Sequence, residues 1–226
     1  MTKYFAEWWT IMARPIYFYT ILKEENWQAK PLSFLMKTAW LLAFLAALVV
    51  FIIQFVPIGS TLVAGISGYK FIIILPVLIT LAAIFFLITF LLIGGLFVGG
   101  LFVAFGLAAL VLHYSNLRLG GKGKLERMLQ GSFYSSAAVL PFGLIFLLMI
   151  LTKYGGLEFR MFGVGFNFLF FLVGLYLYGL WAIAGRKNYH LSKPRAFFGA
   201  IGPVLVLLIF VLGFDKIIFP KLKSWI

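Results

Sequence analysis

The sequence predicts an all-α chain: a polytopic transmembrane helix bundle with five net crossings, interfacial helices and one long broken apolar segment. Three observations predict it. The 226 residues are 64% hydrophobic and only 11% charged, with mean hydropathy +1.10, more apolar side chain than one water-soluble core can bury. The apolar residues fall into runs close to the length that a helix needs to cross a hydrocarbon core of roughly 30 Å. The 19 basic residues, set against 6 acidic ones, lie in the gaps between those runs. A net charge of +13 would point to nucleic acid in a soluble chain, but here it points to anionic lipid headgroups. The absence of cysteine excludes disulfides, thiolate metal sites and a cysteine nucleophile.

Residues 1–37 form a cytoplasmic interfacial segment. Tyr4, Phe5, Trp8, Trp9 and Met12 recur at roughly helical spacing, and Tyr17, Phe18, Tyr19, Leu22 and Trp27 extend the aromatic belt between basic residues. Such a stretch either lies in the leaflet interface or anchors the first span and packs under the bundle. No signal peptide is expected, because Glu7, Trp8 and Trp9 precede the first long apolar run. The transmembrane domain, 38–214, opens with a span over 38–56. Its twelve Leu, Ile, Val and Phe residues favour insertion by roughly 5 kcal/mol at ~0.4 kcal/mol each. Pro31 suits the start of the helix, where no backbone N–H is needed, and Lys37 can snorkel to the interface.

The next run, 71–112, holds 42 uncharged residues and as one helix would reach roughly 63 Å. A single straight span is too long, so the run is expected to break at Pro76, with the half from Gly94 to His113 crossing fully. Charge decides how often it crosses. One net crossing puts 13 of the 19 basic residues on one side with the N-terminus, the 114–133 loop and the 185–195 loop, and leaves 6 on the other. Two crossings give 10 to 9, which is no bias. The positive-inside rule therefore predicts five net crossings, with the N-terminus in the cytoplasm and the C-terminus outside. Gly95 and Gly99 form a GxxxG, the spacing for a close helix contact, though glycine is also simply common in membrane helices. The later spans fall over 136–152, 161–184 and 196–214. An extracytoplasmic tail, 215–226, carries Lys221, Lys223 and Trp225 as a further interfacial anchor.

The most polar stretch is NLRLGGKGKLERMLQGSFYSS, residues 116–136. A phosphate-gripping P-loop needs G-x-x-x-x-G-K-[ST]. Gly123-Lys124 is followed by Leu125, with Arg118 where the first glycine belongs, and Gly121-Lys122 fails in the same way. The stretch instead predicts a glycine turn followed by a short surface helix, Lys124 to Gln130, with Leu125, Met128 and Leu129 toward the acyl boundary. Arg118, Lys122, Lys124 and Arg127 are the candidate headgroup-binding residues.

RLGGKGKLERMLQGSFYSSAAVLP resembles the signature of the Yip1-domain membrane proteins, and RPIYFYTILKEENWQAKPLSF resembles that family's entry segment. The likeness runs from about Arg14 to the fifth span and implies five spans with a cytoplasmic N-terminus. Eukaryotic members associate with small prenylated GTPases in ER and Golgi trafficking and carry an Asp-Leu-Tyr-Gly-Pro-like motif. WQAKPLSF matches that motif only at Pro31, which argues against a GTPase partner. The short form is similar to prokaryotic members and implies a prokaryotic cytoplasmic membrane, or the ER and Golgi in a eukaryote.

No catalytic residue, metal site or cofactor is expected. The acidic residues Glu7, Glu24, Glu25, Glu126, Glu158 and Asp215 lie outside the predicted spans, so no paired carboxylates are expected at membrane depth, and His113 and His190 lack ligand spacing. The expected role is non-enzymatic: membrane organisation or an adaptor acting through anionic lipids and an unidentified membrane protein. The alternative is a pore or carrier for ions or lipids, as a monomer or a homo-oligomer. Coupled proton transport loses support because no ionisable group falls within a span. Asn167 is the most polar intramembrane candidate, ahead of Thr80, Thr89, Gln54 and Tyr176; it would line a path or hydrogen-bond a neighbouring helix.

Overall fold

The computed structural model describes residues 2–64, 66, 69–154, 159–213 and 216, and among them helix is the only regular structure. Two amphipathic helices, α1 (Thr2–Ala13) and α2 (Pro15–Ile21), precede α3 (Lys30–Val50), which continues through a π-helical turn at Phe51–Phe55 into α4 (Val56–Ala64). Then come α5 (Tyr69–Arg118), α6 (Leu125–Ser135), a 3-10 turn at Ser136–Ala138, α7 (Val139–Tyr154), α8 (Phe159–Tyr189), α9 (Lys193–Gly199) and α10 (Ile201–Gly213). Four helical stretches are long and apolar enough to cross a membrane: Lys30–Thr61, Tyr69–Arg118, Leu125–Thr152 and Gly163–Tyr189. The most apolar window of α5 contains no buried residue, and Leu96 on it is 73% exposed. Side chains of that kind are stable facing lipid rather than water.

Prolines shape these helices in three ways. Pro31 stands second in α3, and Pro15 opens α2 after Arg14 in a non-helical conformation, both places where a missing N–H costs nothing. Pro57 follows the π-helical turn, whose wider ring, Val56 N–H to the Phe51 carbonyl, makes room for the pyrrolidine. Pro76, where the sequence predicts a break, instead lies inside the 50-residue α5. Continuing the helix sacrifices one backbone hydrogen bond, whereas ending it would orphan several groups where no water replaces them. Thr80 Oγ1 donates to the Pro76 carbonyl at 2.9 Å.

The predicted span 196–214 is divided at Ala200 into α9 and the thirteen-residue α10. The tail anchors Lys221, Lys223 and Trp225, together with Glu158 and Asp215, lie outside the described residues.

The chain forms two compact units. The second, Met36–Leu101 with Val139–Leu169, is held by aromatic side chains packed along α3 and α5. Ring centroids are 5.1 Å apart for Trp40 and Phe90, 5.8 Å for Phe44 and Phe86, and 5.4 Å for Phe55 and Phe85. Rising numbers on one helix meet falling numbers on the other, so α3 and α5 pack antiparallel. Phe86, Phe90 and Gly94 repeat every four residues and form one face of α5. At its end a Cβ on Gly94 would lie 2.1 Å from the Trp40 ring.

Among the described residues of this chain, nothing approaches the GxxxG: a Cβ on Gly95 or Gly99 would meet nothing within 4 Å. The glycine that admits a neighbour is Gly94, one position away and about 100° round the helix. Gly94→Val is therefore expected to cost about 1–3 kcal/mol by displacing Trp40. Gly95→Ala and Gly99→Ala are expected to be neutral or to gain up to about 1 kcal/mol each in helix propensity. Unfolding in detergent measures all three. Equal damage at Gly94 and Gly95 would contradict this packing.

Candidate functional site

The first unit, Met1–Leu35, Phe102–Ala138 and Phe170–Ile226, gathers the polar chemistry. Its centre is α6. The sequence predicts a surface helix here, yet Met128 is fully buried and every residue from Gln130 to Ala138 is buried. Of the apolar face expected to meet acyl chains, Met128 meets protein instead, while Leu125 and Leu129 are half-buried. What makes this burial tolerable is that each buried serine hydroxyl finds a carbonyl, one on α5 and two on α6 itself. Ser132 Oγ donates to the Phe105 carbonyl at 2.7 Å, Ser135 Oγ to the Ser132 carbonyl at 2.6 Å and Ser136 Oγ to the Phe133 carbonyl at 2.6 Å. Trp181 Nε1 donates to Ser135 Oγ at 2.9 Å.

The N-terminal aromatics divide between both readings of their sequence. Tyr4, Ile11, Phe18 and Tyr19 are buried, while Phe5, Trp9, Ile16 and Tyr17 are exposed. The buried face is tied down by long-range bonds to backbone carbonyls: Trp8 Nε1 to Ala137 at 2.9 Å, Tyr19 Oη to Gly131 at 3.0 Å, and Tyr176 Oη to Met12 at 2.7 Å. Burial, with Tyr176 nearby, pushes the Tyr19 phenol well above its ordinary pKa, so it stays a hydrogen-bond donor.

The glycine turn has a steric reason. Gly120 takes φ +86°, the left-handed conformation that glycine adopts without strain. Gly121 and Gly123 lie against the end of α8: a Cβ on either would come within 2.7 Å of Tyr189, and on Gly123 within 2.8 Å of the Asn188 carbonyl. Lys122 N–H donates to the Tyr189 carbonyl at 3.3 Å, and Asn188 Nδ2 to the Lys124 carbonyl at 3.0 Å. His113 Nδ1 and the Tyr189 hydroxyl share a hydrogen bond. The turn is thus a clasp on α8, and its lysines project outward because its backbone faces inward.

Arg118, Lys122 and Lys124 are exposed and Arg127 is half-buried. Arg127 Nη1 donates to Glu24 Oε1 at 3.1 Å, with Lys124 Nζ 3.9 Å from Glu24 Oε2. Among the described residues Arg118 and Lys122 form no ion pair. Beside the Glu24 cluster is a cleft of about 370 Å³, lined by Glu24, Glu25, Trp27, Lys124, Arg127 and Gln130 among others. Sequence reasoning found its two cations and missed the rest, because Glu24 and Arg127 are 103 positions apart and no local spacing relates them. Two helix starts frame the cleft, since its residues immediately precede α3 and open α6.

Two buried amides carry polar atoms without partners. Asn116 has neither Oδ1 nor Nδ2 hydrogen-bonded and is wedged where a Cβ on Gly185 or Gly199 would be. Gln130 donates from Nε2 to the Lys23 carbonyl at 2.8 Å, but its Oε1 has no partner. Of the intramembrane polar candidates, Tyr176 alone is tied to another helix by a bond described here; Asn167, Gln54 and Thr80 are exposed. Among the described residues, no three side chains of histidine, cysteine, aspartate or glutamate gather as a metal site would require. No family model, curated protein or solved structure matches the chain.

Proposed function

We propose that the chain is a non-enzymatic, five-crossing integral membrane protein of the Yip1 type, acting at the cytoplasmic interface through lipid headgroups and other membrane proteins. The observation that carries this reading is the collar. Arg118, Lys122 and Lys124 are exposed at helix ends, in the same unit as the exposed Trp9, Ile16 and Tyr17. Cations beside amphipathic aromatics are the combination that holds a protein at an anionic interface. The distribution of 13 basic residues to 6 supports the cytoplasmic placement, with α10 as part of the fifth crossing.

The test uses the protein in mixed vesicles. Each basic residue near an anionic surface is worth about 1 kcal/mol, so the Arg118→Gln/Lys122→Gln double variant is expected to lose roughly tenfold or more of its enrichment of anionic over neutral lipid at low salt. Unchanged enrichment would defeat the headgroup role. Because the chain lacks cysteine, single cysteines at Lys3 and Lys122 report sidedness without background. Labelling from opposite sides would defeat the topology. Reproducible ion or lipid flux abolished by Asn167→Leu, with folding intact, would replace the adaptor reading with the carrier one.

A further inference from the structure

We propose that the cleft between the α2–α3 connection and the start of α6 is a binding site for one phosphoethanolamine headgroup, supplied by a membrane phospholipid. This rests on the interfacial reading above and specifies what one part of that interface recognises.

The cleft is about 370 Å³, within the roughly 300–1,000 Å³ of small-ligand sites. It offers both signs of charge at close range: Arg127 and Lys124 clustered on Glu24, Glu126 also in the lining, and Glu25 paired with Lys30 at 2.7 Å. A purely anionic headgroup would be repelled by the carboxylates, and a simple amine by the cations. A group carrying a phosphodiester and an ammonium a few bonds apart satisfies both.

Gln130 decides which ammonium. It is 1% exposed, lines the cleft, and has spent its Nε2 on the Lys23 carbonyl, leaving Oε1 as a buried acceptor with no partner. An unpaired buried acceptor calls for a donor. A primary ammonium brings three N–H donors, whereas a quaternary choline ammonium brings none and is held by aromatic cages. Only Trp27 contributes an aromatic ring here, and it is engaged by Phe133 with centroids 5.7 Å apart. The lining therefore selects ethanolamine over choline. The lipid source follows from position: the cleft adjoins the first turns of two stretches, Lys30–Thr61 and Leu125–Thr152, that are long and apolar enough to cross a membrane.

The experiment measures lipid retained by the full-length protein, by native mass spectrometry and by exchange in neutral nanodiscs containing phosphatidylethanolamine, phosphatidylcholine or phosphatidylglycerol. Retention of phosphatidylethanolamine is expected to exceed each of the others about tenfold. Glu24→Gln and Gln130→Leu should each remove that preference. Glu24 is on the surface, so its variant remains informative if Gln130→Leu fails to fold. The Arg118→Gln/Lys122→Gln variant should keep the preference, which separates this site from the general anionic attraction. Equal retention of phosphatidylcholine, or a preference that survives Glu24→Gln, overturns the proposal. Soluble glycerophosphoethanolamine competing as well as the lipid overturns the membrane source.

Discussion

Trp181→Ala is expected to lower stability by about 3–5 kcal/mol, the range for emptying a buried aromatic site. Trp181 is 1% exposed and packs edge-on to Phe105, with centroids 6.3 Å apart. Its Nε1 bond to Ser135 Oγ joins a chain that continues through the Ser132 carbonyl, while Ser132 Oγ holds the Phe105 carbonyl. In a bilayer the transfer of apolar surface from water contributes little to helix association, so packing and interhelical hydrogen bonds carry it. Truncation removes both at one position. Trp181→Phe keeps much of the ring and loses the bond, and is expected to cost about 1–2 kcal/mol. Reversible unfolding in detergent, monitored at a second site, distinguishes them. A cost below 1 kcal/mol for the alanine variant would mean that this cluster does not hold the first unit together.

The second large effect is predicted for Gly123→Val, at about 3 kcal/mol, the upper end of ordinary overpacking. The atoms in the way are the Tyr189 ring and the Asn188 carbonyl oxygen. A ring can rotate aside, but a backbone carbonyl moves only if the last turn of α8 unwinds. The loss should therefore be accompanied by release of the turn, read as faster exchange of the Lys122 amide. Gly120→Ala provides the contrast. It has open space around it but φ +86°, so its cost is conformational, about 1–2 kcal/mol. Equal effects at both glycines, or none at Gly123, would contradict the clasp.

Much of the helical layout was legible from hydropathy alone, because a run of apolar residues with no charge has few alternatives to helix. The four long stretches begin and end near polar residues that the sequence displays openly. Three things were not legible. Proline in the 71–112 run reads as a breaker by local rules, yet the medium makes breaking costlier than tolerating it. The α6 segment has the periodicity of a surface helix, and its burial is made tolerable by serine-to-carbonyl bonds, one of them to backbone that arrives from α5. The cleft depends on Glu24, Arg127 and Gln130 meeting across more than a hundred residues, and with a single sequence no pattern links such positions. The cations were found because glycine and charge are conspicuous in an oily chain. Their acidic partners were present in the composition but had no address.

The first unit draws on three separated portions of the chain, the last beginning at Phe170. Translation at roughly 5–20 residues per second means that the opening thirty-five residues emerge on the order of ten seconds before Gly131, Ala137 and Tyr176 exist to receive them. During that interval Trp8 and Tyr19 lack the carbonyls that hold them, and the nascent aromatic helices must shelter at the bilayer surface or with a chaperone.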